Sequence, residues 1–164
     1  MLFEKLLKYF QNISRIKISC CIFAPSKKCY KMEEKNPIEE ARRYVANAEE
    51  TIQKANYDTE LKMYTDSKYI KTAGDILWKG CLIALDAVLQ VRKGKGRPSI
   101  EKYKEAAGQR DRKLLAAIVS GYDLMHLTMG YDGVKNKKVC DAGFENANAI
   151  IDRCALLSPE VKCA

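Results

Sequence analysis

The stretch Lys68–Arg92, KYIKTAGDILWKGCLIALDAVLQVR, decides the fold of this chain. At about 100° per residue, as in an α-helix, six polar side chains, five in this stretch and one just after it, fall on one narrow stripe. They are Lys68, Asp75, Lys79, Asp86, Gln90 and Lys93. Apart from Lys71 and Arg92, the other side chains are apolar or small and cover an arc of about 240°, whereas an ordinary surface helix has an apolar stripe of about 100°. We therefore predict that this stretch, which begins at an Asp66 N-cap, is the central and mostly buried helix of an all-α domain.

The rest of the domain contains further segments with helical periodicity. The spacing of apolar residues predicts long helices over 37–56, 110–129 and 135–156 and a short helix over 100–107. Links that contain glycine, proline or polar residues separate them. Four long helices with short links predict an antiparallel four-helix bundle with one extra short helix. The predicted core consists of Tyr69, Ala73, Leu77, Ala84, Val88, Tyr122, Met125 and Ile150.

Residues 1–35 form a basic leader that differs in charge from the rest of the chain. The first 31 residues carry seven basic side chains and one acidic side chain, which is +6 of the formal net charge of +8. The bundle expected over 36–157 is therefore nearly neutral, and 158–164 form a tail. Three interpretations of the leader stay open: a mis-assigned start ahead of Met32, a failed signal peptide, or a basic amphipathic helix that attaches to a membrane surface. In the isolated chain we expect it to be poorly ordered or irregular.

Composition excludes several classes of protein. The apolar fraction of 47% and the charged fraction of 30% are those of a globular domain. No apolar run reaches the roughly 18 residues of a membrane span. The seven cysteines are an odd number without a Cys-x-x-Cys pair, which argues against a disulfide framework and against a zinc site. We expect free cysteines in a reducing cytoplasm, and neither a cofactor nor a metal.

His126 is the only histidine, so any histidine-based acid–base or metal chemistry has to use it. By spacing it lies on the apolar face of the helix over 110–129, one turn after Tyr122. It is either a catalytic group or a partly buried imidazole that hydrogen-bonds to a tyrosine, an aspartate or a backbone carbonyl. We favour the second interpretation, so His126 is only a weak candidate for catalysis.

Lys93, Lys95 and Arg97 form a basic link with the sequence KGKGR. Such a link, just before a helix that starts at Ser99, is able to hold an anion such as a phosphate group or nucleic acid. It lacks the Gly-x-x-x-x-Gly-Lys-Ser/Thr spacing of a P-loop, and no strand precedes it. A solvated connector is the alternative, which we favour.

Trp78, Leu82, Leu85 and Leu89 widen the apolar arc of the central helix beyond what one neighbouring helix covers. Either the other helices, including the short one over 100–107, cover these residues, or they form an exposed surface for self-association. In the second case Trp78 is the aromatic anchor of a homodimer or of a contact with a helical partner.

Two stretches carry a family resemblance: Ala73–Leu89 (AGDILWKGCLIALDAVL) and Tyr122–Gly133 (YDLMHLTMGYDG). They resemble a family of small, uncharacterised bacterial helical-bundle proteins, over about residues 37–155. That family is similar in architecture to the HEPN domains, many of which act as RNases or as partners of nucleotidyltransferases. The resemblance therefore implies an HEPN-like bundle.

The resemblance also implies where an RNase site would lie. Active HEPN RNases are expected to carry an arginine four to six residues before a histidine. Ahead of His126 these positions hold Tyr122, Gly121 and Ser120, and the nearest upstream arginine is Arg112. The cation that would stabilise a cleaving phosphate is missing from the pattern, so His126 corresponds to a family position but not to a catalyst.

We therefore expect a protein that is not an enzyme and that acts through protein–protein association, as a homodimer or with a helical partner. An HEPN-type RNA-directed nuclease or RNA-binding protein is the first alternative. Peripheral membrane attachment through the basic leader is the second.

Overall fold

The computed structural model describes residues 36–91 and 96–158. The α-helices in these ranges are α1 (Pro37–Gln53), α2 (Ser67–Leu89), α3 (Ile100–Arg110), α4 (Arg112–Gly121) and α5 (Lys137–Leu157). A π-helix over Tyr122–Asp132 continues α4, and we call the two together the composite helix. A hairpin of two short strands, β1 (Tyr57–Asp58) and β2 (Met63–Tyr64), joins α1 to α2. The prediction of an all-α fold is confirmed.

Side-chain caps begin α1 at its predicted first residue and α2 at its predicted N-cap. The Asn36 side chain accepts a hydrogen bond of 2.9 Å from the Ile38 amide, and the Asp66 side chain accepts one of 2.9 Å from the Lys68 amide. Each cap satisfies a backbone N–H that has no partner within the helix. Helix α2 ends earlier than predicted, because Gln90 adopts a left-handed conformation with φ of 49°.

Helix α2 is the central helix, as predicted. Twelve of its 23 residues are buried, and α1, α5 and the composite helix pack around it. On its polar stripe, Lys68, Asp75, Lys79 and Gln90 are exposed and Asp86 is half-buried. Of the predicted core, Tyr69 and Tyr122 are half-buried, and the other six residues are buried.

Two glycines bring the backbone of α2 close to two different neighbours. A Cβ atom at Gly74 would lie 2.6 Å from the Met125 carbonyl oxygen and 2.7 Å from the Gly130 amide nitrogen, both in the π-helix. A Cβ atom at Gly80 would lie 2.8 Å from the Tyr44 side chain of α1. Only glycine leaves room for such close approaches.

The helix predicted over 110–129 differs from the observed one at both ends. Asp111 is extended, with φ of −158° and ψ of 112°, and it separates α3 from α4. Its carboxylate accepts a 2.8 Å hydrogen bond from the Leu114 amide and pairs with Arg153 of α5. Gly130, which falls in the link after the predicted helix, lies within the π-helix. The helix ends at Gly133, whose φ is 69°.

The link over 57–66 was predicted as a polar connection but contains the hairpin. Tyr57 pairs with Tyr64 and Asp58 with Met63. The Tyr64 amide also donates a 2.9 Å hydrogen bond to the Lys135 carbonyl oxygen, just before α5. The hairpin therefore fastens the α1–α2 connection to the start of α5.

Several predicted features lie outside the described residues: the basic leader over 1–35, Lys93 and Lys95, and the tail after Ser158. The membrane interpretation of the leader is therefore not addressed by the structure. Among the helices that the structure describes, none is both long and apolar enough to cross a lipid bilayer.

The close approach at Gly74 predicts a large effect of one added methyl group. We expect Gly74→Ala to lower the free energy of unfolding by about 1–3 kcal/mol, because the new Cβ meets backbone atoms that cannot rotate away. Urea unfolding measures this difference. Gly96→Ala is the matched control, since a Cβ there has nothing within 4 Å. A Gly74→Ala protein as stable as the parent would contradict the close contact.

Candidate functional site

The four side chains predicted as an association surface are buried in the core of the chain itself. Their exposed fractions are 7% for Trp78, 5% for Leu82, 0% for Leu85 and 9% for Leu89. Helix α3 lies over the C-terminal half of α2, where the Arg110 guanidinium donates a hydrogen bond to the Val88 carbonyl oxygen. The prediction of an exposed surface at these four residues is therefore wrong, because the chain itself buries them.

Tyr103 holds α3 against α2. It is buried, and its hydroxyl donates a hydrogen bond to the Asp86 carboxylate. Burial raises the pKa of Tyr103 above its ordinary range, the hydrogen bond to Asp86 raises it further, and the Arg97 guanidinium opposes both effects. Arg97, which was predicted to belong to an anion-binding loop, is exposed and interacts with this tyrosine.

His126 lies in the π-helix and belongs to an aromatic cluster with Trp78 and Tyr122. The imidazole is half-buried, with its ring centre 5.1 Å from that of Tyr122 and 6.3 Å from that of Trp78. The Lys104 ammonium lies 5.8 Å from the centre of the Tyr122 ring, a cation–π distance. The partial burial of His126 was predicted correctly. The expected hydrogen bond was not, since no group in residues 36–91 or 96–158 bonds to the imidazole.

Three large apolar side chains are exposed on the composite helix. They are Val119, Leu127 and Tyr131, with exposed fractions of 41%, 39% and 78%. The opposite side of the same helix is buried at Ile118 and Met129. We call the three exposed residues the composite-helix face. The sequence pattern does not reveal this face, because Tyr131 lies beyond the helix predicted over 110–129.

The three cysteines in the described residues are buried and free. Burial raises the pKa of the Cys140 thiol to about 11 and that of Cys154 to about 12, and it raises the pKa of Cys81 as well. These thiols are therefore neutral at physiological pH and pack as small hydrophobic groups. Within the described residues we find no group of three histidine, cysteine, aspartate or glutamate side chains that would hold a metal ion.

Comparison with known proteins places this helical domain in a family. The domain of unknown function DUF5618 matches residues 36–155, which begin at the N-cap of α1. The chain belongs to the DUF5618 family. This agrees with the predicted resemblance to an uncharacterised family.

A solved structure of another protein of unknown function, from Dyadobacter fermentans, is similar to this DUF5618 protein. The two sequences are 36% identical and the TM-score is 0.64, over 72% of this chain and 92% of that chain. No functionally curated protein matches this chain. Its relatives therefore support the fold, and its function has to be argued from its surfaces.

The raised thiol pKa values predict that stability falls at alkaline pH. An unfolded cysteine ionises near its ordinary pKa of 9.0, whereas folded Cys140 and Cys154 stay protonated until about pH 11 and 12. The contribution of these protonated thiols to the free energy of unfolding is therefore complete below pH 9, and it is lost as the pH rises towards 11 and 12. Each thiol contributes a slope of about 1.4 kcal/mol per pH unit.

Urea unfolding between pH 8 and the alkaline limit of about 11 tests this slope. We expect the free energy of unfolding of Cys154→Ala to fall less steeply with pH, by about 1.4 kcal/mol per pH unit, because one titrating thiol is gone. Val45→Ala is the control, since it removes buried volume without removing a titrating group. The same slope in Cys154→Ala as in the parent would contradict the assignment.

Proposed function

We propose that this DUF5618 protein is not an enzyme and acts through self-association as a homodimer, with the composite-helix face as the contact. The observation that carries the proposal is the exposure of Val119, Leu127 and Tyr131 on a single helix, at 39% to 78%. Apolar side chains grouped on one exposed face favour burial against a second surface. Tyrosine is also among the residues that contribute most to binding at interfaces.

The charges beside this face support a second copy as the partner. Arg112 and Lys113 are exposed near the start of the composite helix, and Asp123 and Asp132 are exposed further along it. In a two-fold pair the same surface contacts itself, with the two helices antiparallel. The basic end of one helix then lies opposite the acidic end of the other, so the pairing is electrostatically complementary.

We further propose that the finer architecture is the HEPN-like four-helix bundle that the sequence resemblance implies. The four long elements would be α1, α2, the composite helix and α5, with α3 as the extra short helix. One contact that supports this arrangement is the ion pair of 2.8 Å between Arg42 of α1 and Asp152 of α5. It joins the N-terminal part of one helix to the C-terminal part of the other, as in an antiparallel pair.

One observation favours RNA binding as a second candidate function. The half-buried His126 and Tyr122 rings, with the Lys104 ammonium beside them, combine stacking surfaces with a cation. Single-stranded nucleic acids bind to such combinations through stacking and phosphate contacts. The missing arginine before His126 argues against cleavage, so this alternative is a binding function.

Self-association predicts a specific effect of truncation at the composite-helix face. We expect the double variant Leu127→Ala/Tyr131→Ala to weaken dimerisation at least tenfold, which is about 1.4 kcal/mol, because the buried apolar area is lost. Sedimentation velocity over a concentration series measures the dissociation constant. Leu61→Ala is the control, since Leu61 is 70% exposed on the hairpin and does not belong to the composite-helix face.

A charge swap tests the antiparallel pairing in the same assay. Asp132→Arg should weaken the dimer, and adding Arg112→Asp should restore it, since opposite charges then face each other again. A parent protein that is monomeric at every accessible concentration would refute the homodimer. If Leu61→Ala weakens dimerisation as much as Leu127→Ala/Tyr131→Ala does, the composite-helix face is not the dimer contact.

RNA binding makes a different prediction. If it is the function, the full chain should bind single-stranded RNA with an affinity that falls as salt increases. Tyr122→Ala and His126→Ala should each weaken that binding about tenfold through lost stacking. Fluorescence anisotropy with labelled RNA measures it, and the composite-helix variants serve as controls. If RNA binds equally well to the parent and to His126→Ala, the aromatic cluster is not an RNA site.

A further inference from the structure

A groove with an apolar floor and an acidic rim lies along the C-terminal half of α1 and the N-terminal half of α5. Its floor consists of Ile52, which is 6% exposed, together with the half-buried rings of Tyr64 and Phe144. Burial raises the pKa of the Tyr64 hydroxyl above its ordinary value. The rim carries the carboxylates of Glu49, Asp141 and Glu145. We call this feature the α1–α5 groove.

The register of the two helices places like charges opposite each other at this groove. Arg42 of α1 pairs with Asp152 of α5 at 2.8 Å. Glu49 follows Arg42 by seven residues, and Glu145 precedes Asp152 by seven residues, which is about two helical turns on each helix. Because the two helices are antiparallel, the register that pairs Arg42 with Asp152 also places Glu49 opposite Glu145, two turns away. Two carboxylates therefore face each other there.

The two glutamates carry the unbalanced charge of the rim. Asp141 is bonded to Lys137 at 2.7 and 2.8 Å, so its charge is largely neutralised. Glu49 and Glu145 are both exposed, and neither forms an ion pair or hydrogen bond through its side chain within residues 36–91 and 96–158. A cation placed between them would remove their mutual repulsion.

We propose that the α1–α5 groove binds an amphipathic basic helix of a partner protein. Its apolar side chains, at helical spacing, would lie on Ile52, Tyr64 and Phe144, as in other helix-in-groove complexes. A lysine or arginine located between these apolar side chains would lie between Glu49 and Glu145. It would form ion pairs with them, as Arg42 does with Asp152.

Charge excludes a second copy of this groove as the occupant. A two-fold pair would bring the Glu49 and Glu145 carboxylates of one protomer against those of the other. Four carboxylates in one interface repel, and this cost opposes the burial of the apolar floor. The partner is therefore a different, basic surface, and this interaction is separate from the dimer proposed at the composite-helix face.

Binding of a synthetic peptide to the full-length protein tests the proposal. The probe is a fluorescein-labelled amphipathic helix of about four turns, built from leucine, alanine and lysine. Its counterpart has glutamate in place of each lysine. We expect the lysine peptide to bind at least tenfold more tightly than the glutamate peptide, with an affinity that falls as salt increases.

Matched variants locate the site. Glu49→Gln/Glu145→Gln should weaken binding of the lysine peptide at least tenfold, whereas Glu50→Gln/Glu105→Gln should leave it unchanged. Both double variants remove two exposed carboxylates, but the second pair lies outside the groove lining. A carbodiimide cross-link should join peptide lysines to Glu49 or Glu145, and mass spectrometry identifies the linked residue.

Several outcomes would overturn the proposal. They are equal binding of the two peptides, equal loss in the two double variants, or cross-links confined to other carboxylates. Weaker dimerisation of Glu49→Gln/Glu145→Gln than of Glu50→Gln/Glu105→Gln, measured by sedimentation, would instead assign the groove to a second copy. None of these results depends on the composite-helix face, so the two proposals fail independently.

Discussion

The contact of Gly74 with the π-helix is the constraint on which the arrangement of the helices depends. Here the backbone of α2 lies against the Met125 carbonyl and the Gly130 amide, atoms that no rotamer change moves away. In a π-helix the amide bonds to the carbonyl five residues earlier, so these two groups belong to the same turn. This contact fixes the position of the composite helix on α2. It thereby determines that Leu127 and Tyr131 face solvent.

The same packing explains why the apolar arc of α2 is not an interface. A helix with so wide an apolar surface needs neighbours on nearly every side, and the chain supplies them itself. Tyr103 and Arg110 bond α3 to Asp86 and Val88, which places α3 along the C-terminal half of α2. The side chains left for contact with other molecules therefore lie on the outer helices.

The parts of the fold that local sequence determines could be predicted. The width of the apolar arc identified α2 as the central helix, and the caps at Asn36 and Asp66 marked where two helices begin. The π-helix could not be predicted, because it depends on how closely Gly74 lets α2 approach. Apolar spacing also cannot distinguish a side chain covered by its own chain from one that awaits a partner, which is why Trp78 was assigned to a surface.

The charges of the composite helix are placed differently from those of α1. Helix α1 carries Glu39 and Glu40 in its first turn, where acidic groups favour the helix dipole. After its Asp111 N-cap, the composite helix has the opposite placement, with Arg112 and Lys113 at its start and an exposed Asp132 at its end. Such charges oppose the dipole and lower the stability of an isolated helix. The proposed antiparallel dimer would make this arrangement favourable, because the basic start of one composite helix would lie opposite the acidic end of the other.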